Sequence, residues 1–174
     1  MYSGYVSSWK DKMTTARTCV AGLAAGVTIN AMMLLTFRLM GFGWHGGGIL
    51  LDPSAQSHKL IAVWTEMPPL PLVVSQPLLI VIGLIFFGVG HAFLYRWLAP
   101  AWPAGVWPRA LRMALLIFFL SFVFWEFFTP FNQFGEPLQL ILLELTFWLS
   151  MALAEALVMA FILEHGQNKV SDNR

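Results

Sequence analysis

Four long runs of the chain, about residues 18–40, 77–98, 109–129 and 138–163, are almost uniformly apolar and carry very few charges. A helix needs about 20 mostly apolar residues, rising about 1.5 Å each, to cross a hydrocarbon core of about 30 Å. Each run meets that length. Inside lipid the backbone must satisfy its own hydrogen bonds, so spans of this kind can only be helices. The expected fold is therefore all-α: an integral membrane bundle of four transmembrane helices, forming one membrane domain over residues 1–174. Composition agrees. Only 11% of residues are charged and 58% are hydrophobic, with a mean hydropathy of +0.70. A soluble domain carries about 25% charged residues. The balance of ten Lys and Arg against nine Asp and Glu, with one cysteine, argues against nucleic acid as a partner and against a disulfide scaffold.

The first run follows Lys10, Lys12 and Arg17, as a signal peptide would. It is longer than the 7–15 apolar residues of a cleaved leader, so it reads as an uncleaved anchor. Orientation follows from the cations, which accumulate on the cytoplasmic side. With four spans, Lys10, Lys12, Arg17, Arg96, Arg109, Arg112, Lys169 and Arg174 share one side, and only Arg38 and Lys59 lie on the other. Both termini are thus expected in the cytoplasm of a bacterial-type inner membrane. Most tryptophans fall near the two interfaces, but Trp148 lies deep in the fourth span, where its indole N–H needs an internal acceptor.

The outer loop, 41–76, opens with the glycine-rich run GFGWHGGG. Asp52 followed by Pro53 reads as a helix start. Leu60, Ile61, Val63, Trp64 and Met67 then form one face, predicting an amphipathic surface helix over about 53–67, stopped by Pro68 and Pro69. In the first span, Gly22 and Gly26 make a small-residue ridge continued by Asn30; in the second, Gly83 and Gly90 share a face. Small residues let helices approach closely in lipid, so both are expected packing surfaces. The third span is covered on nearly all sides by phenylalanines, among them Phe118, Phe119, Phe122, Phe124, Phe127 and Phe128, and reads as a face for lipid or a partner.

The intramembrane ionisable groups are the most informative feature. Glu144 and Glu155 lie eleven residues apart, close to three turns, on one face of the fourth span. A carboxylate near the bilayer centre costs about 2.5–3.5 kcal/mol on the insertion scale, so each should face the bundle and be partnered or protonated. Alternating span direction sorts the polar groups into two layers. Arg38, Glu126 and Glu144 lie near the outer end; His91, Arg112 and Glu155 lie near the inner end. The first expectation is structural pairing of Arg38 with Glu126 or Glu144, and of Glu155 with Arg112 or His91.

The best functional expectation is a non-catalytic accessory or scaffolding subunit that packs laterally against other membrane subunits, because no serine-hydrolase, phosphate-loop, dinucleotide or paired-cysteine motif is present. An alternative is a homo-oligomeric transporter or channel for protons or another small solute, using the span-four carboxylates. A second is a pigment or haem held by one axial ligand, His91, with Gly88 and Gly90 making room; no cofactor is otherwise expected. A metal site built on His45 and His58 with Asp52, Glu66, Glu126 or Glu144 is the least supported, since no metal-ligand spacing accompanies them.

Overall fold

A computed structural model describes residues 14–165; Trp9, Lys10, Lys12, Lys169 and Arg174, used above for orientation, lie outside the described residues. The described chain is helical throughout, with four helices long and apolar enough to cross a membrane: α1 (Thr15–Gly41), α3 (Pro77–Ala101), α4 (Val106–Phe134) and α5 (Leu138–Glu164). Between the first two lies a short helix, α2 (His58–Thr65). The long helices alternate in direction. One end of the bundle gathers Thr15, Ala101, Val106 and Glu164. There Arg17 donates to the Ile162 carbonyl, and the Arg96 guanidinium reaches the Thr15 hydroxyl at 3.4 Å. The other end gathers Gly41, Pro77, Phe134 and Leu138.

The four helices form an open row rather than a ring. α1 lies against α3 and α5, and α5 lies against α1 and α4. The two central helices are accordingly the more buried, and α3 and α4 form the edges. The α1–α3 contact is made backbone to backbone. A Cβ added at Gly22 would lie 2.5 Å from the Val89 Cα, one at Gly26 2.5 Å from the Ile85 Cα, and one at Gly88 2.5 Å from the Gly26 nitrogen. The Asn30 amide secures this contact by donating to the Gly26 carbonyl at 2.8 Å and across to the Val81 carbonyl at 3.2 Å. Gly83 and Gly90, expected to pack in the same way, instead face outward, with no atom within 4 Å of an added Cβ. The two pairs sit on different sides of α3, and α1 occupies the side marked by Gly88.

Parts of α1 and α4 are wound as π-helix: Leu34–Gly41, Phe118–Val123 and Phe127–Phe131. All lie in the half of the bundle toward the Gly41/Leu138 end. α4 stops at Gly135, whose φ of +67° is left-handed and suits a residue without a Cβ.

The surface helix is shorter than predicted. The Asp52 carboxylate accepts from the Ser54 N–H at 2.9 Å and the Ser54 hydroxyl at 2.8 Å. Those donors hold its carboxyl below the ordinary 3.8. Asp52 therefore closes one separate turn ending at Gln56, and Ser57 caps α2 by accepting from the Leu60 N–H. The Phe-covered helix is also not uniformly outward: Phe122 is buried and stacks on Trp148 with ring centroids 4.3 Å apart.

Candidate functional site

The bundle interior holds three polar centres strung along α5, which supplies a buried carboxylate to each: Glu144, Glu155 and Glu164. At 1.5 Å per residue they are separated by about 16 Å and about 13 Å along the axis.

The central one is a pair. His91 Nδ1 lies 2.8 Å from Glu155 Oε1, joining α3 to α5 across the core. Arg112, the other expected partner of Glu155, instead donates to the Pro108 carbonyl on its own helix at 2.9 Å and is exposed. His91 also lies edge-on to Phe87, with centroids 4.0 Å apart. With Nδ1 engaged, Phe87 against the ring and Gly88 filled by the α1 backbone, the space expected for a macrocycle beside His91 is taken up by α1 on the Gly88 side.

The centre nearest Thr15 and Glu164 was missed by the sequence reading, which took Arg109 and Glu164 as boundary residues. Arg109 is fully buried, and its Nη1 lies 2.8 Å from each Glu164 oxygen. The Tyr95 hydroxyl donates to Glu164 Oε1 at 2.9 Å. The available signal was register: Tyr95, Arg109 and Glu164 each sit at the same end of their spans.

The third centre differs in kind. Glu126 of α4, Glu136 of the turn that follows and Glu144 of α5 are all buried, and each offers an oxygen within 4.8 Å of the other two. The predicted base is elsewhere. Arg38 is exposed, donates to the Trp44 carbonyl at 3.0 Å and lies over the Trp44 ring. Both ion pairs among the described residues lie in the other two centres. The acids are held instead by neutral donors. The acceptor that Trp148 requires is Glu126 Oε1, and Gln56 of the outer loop donates to Glu136 Oε1 at 2.6 Å. Gln56 is itself fixed, its carbonyl accepting from the Ser57 N–H. Below the acids, Phe37, Phe147, Trp148 and Phe122 form an aromatic layer. His45, His58, Asp52 and Glu66 are all exposed, so the histidines named as possible metal ligands do not join the buried acids.

Glu136 lies outside the long helices, and its burial holds the carboxyl above its ordinary value of 4.5, with the Gln56 donor partly opposing this. A raised folded value favours the protonated form in the native state. The stability it supplies is complete below 4.5 and is lost as pH rises through the raised folded value. In chelator, the thermal midpoint should therefore fall between about pH 4 and about pH 8. Glu136→Gln should flatten that slope and raise the midpoint at the alkaline end. An unchanged slope in the variant would assign the effect to other groups.

Comparison with known protein families, characterised proteins and solved structures finds no match for this chain.

Proposed function

We propose that the protein is a four-span integral membrane protein of a bacterial-type inner membrane that works as a non-catalytic accessory or scaffolding subunit, packing laterally against the helices of other membrane proteins. The Thr15/Glu164 end faces the cytoplasm in this reading. The cation distribution supports that orientation: Arg17, Arg96, Arg109 and Arg112 belong to that end, whereas Arg38 and Lys59 belong to the other.

The observation that carries the proposal is the outward face of α3. Gly83 and Gly90 stand open between the exposed side chains of Leu79, Phe86 and Trp97. Where the chain uses glycine internally, at Gly22, Gly26 and Gly88, a neighbouring backbone fills the groove. An unfilled groove of the same kind on an edge helix suits a helix of another subunit. The polar centres then fix the register of the bundle while its edges make contacts.

Extraction in mild detergent followed by native mass analysis tests this. A different membrane polypeptide in fixed stoichiometry is expected, lost from the Gly83→Leu/Gly90→Leu double variant while the bundle itself stays folded. A monomer or a pure homo-oligomer in both preparations would refute it. A homo-oligomer would direct attention to proton- or cation-coupled transport, a reading favoured by the buried, unpartnered Glu155 Oε2 beside His91. For that reading, Glu155→Gln should assemble normally and abolish pH-dependent solute flux.

A further inference from the structure

Three carboxylates whose oxygens lie within 4.8 Å of one another cannot all be ionised in a buried site without a counter-charge. Among the described residues neither ion pair supplies one. A second observation concerns individual atoms. Glu126 Oε2 and Glu136 Oε2 are hidden from solvent and have no hydrogen-bond partner. They belong to side chains of residues only 0% and 2% exposed. A buried acceptor left unsatisfied costs about 1–3 kcal/mol, more if charged, so two such oxygens in one acidic cage point to something that binds them.

We propose that Glu126, Glu136 and Glu144 form a binding site for a hard divalent cation of calcium's size, tying the outer loop and the turn before α5 to the end of α4. The donor set is all oxygen, which calcium and magnesium prefer and softer metals do not. Two ligands on opposite sides of an ion bonded at about 2.4 Å are about 4.8 Å apart, within the calcium range of 2.3–2.6 Å. The cluster is thus already as compact as a calcium shell requires. Magnesium, with shorter bonds and strict octahedral geometry, would demand a tighter cage. A dication leaves about one negative charge over, and the N–H donors of Trp148 and Gln56 face that residue of charge from the Oε1 side. These donors hold one oxygen of their carboxylates and leave the other for the ion, as outer partners do in metal sites. Glu144 is the most exposed of the three, at 7%, and marks the way in. The site stands whether or not α3 docks another protein.

The full chain, purified in detergent and stripped with chelator, should gain thermal stability saturably on titration with calcium chloride. Magnesium should act only at much higher concentration, and potassium at equal ionic strength not at all. Glu136→Gln keeps an oxygen for Gln56 to donate to, so the variant should fold, and its calcium affinity should drop by more than about tenfold. Gln56→Ala, which removes only the positioning donor, should weaken binding by about tenfold. Glu66→Gln, an exposed acid outside the cluster, should leave the response unchanged. If Glu136→Gln does not fold, Glu144→Gln is read in the same way. No calcium response in the wild-type chain would overturn the proposal and leave protons as the cluster's counter-charge. An undiminished response in the folded variants would overturn it equally, by placing the ion elsewhere.

Discussion

Leucine in place of Gly88 is expected to part α1 from α3 and to cost about 3 kcal/mol or more, at or beyond the upper end of ordinary overpacking. The reason is what the new side chain would meet. Its Cβ would lie 2.5 Å from the Gly26 nitrogen and 2.7 Å from the Gly22 carbonyl oxygen. Those are backbone atoms and cannot rotate away. One helix must move bodily, which would also break the Asn30 bond to the Val81 carbonyl and pull His91 from Glu155. Leucine at Gly90, two residues along the same helix, meets no atom within 4 Å at Cβ and should change the stability of the isolated bundle by about 0.5 kcal/mol or less. Equilibrium unfolding of the two variants in mixed detergent micelles checks the contrast. Equal losses would mean that the α1–α3 contact is not the one described.

The second large effect is expected at Arg109. Arg109→Leu strands Glu164 in the core with only the Tyr95 hydroxyl for company, and breaking one side of a buried pair costs about 3–5 kcal/mol. Removing both charges is another matter, because a buried pair is often replaceable by apolar side chains without loss. Arg109→Leu/Glu164→Leu should therefore recover most of the stability lost by the single change. Its remaining deficit should be about 1–3 kcal/mol for the unpaired Tyr95 hydroxyl. A double variant as unstable as Arg109→Leu would show that the guanidinium matters through its other contacts rather than through Glu164.

The four long helices were legible because length and apolarity alone decide them, and the structure places them at 15–41, 77–101, 106–134 and 138–164. The ridge of Gly22 and Gly26 and the level shared by His91 and Glu155 were legible for the same reason: both follow from position along a helix. What could not be read was azimuth. Arg38 stands at the right height to meet Glu126 and Glu144, but it turns outward to Trp44. Gly83 and Gly90 share a face, yet nothing in their spacing says which face α1 chooses. Glu136 escaped because it belongs to a turn, and a search confined to spans passes over it. Helix α2 began later than expected because Asp52 and Ser57 are equally good capping residues, and Ser54 was close enough to engage Asp52 first.

The slow winding of the aromatic half of α4 decides where its acid ends up. A π turn accommodates one residue more than the geometry around it, so each such stretch sets back the angular phase of everything that follows. Excising one residue from Phe118–Val123 would swing the remainder by about 100°. Glu126 would then leave Trp148 for the outside of the bundle, while the overall length and greasiness of the rod would scarcely alter. The phenylalanine-rich stretch thus acts as a timing device: its residue count, more than its chemistry, sets the compass bearing of the carboxylate beyond it.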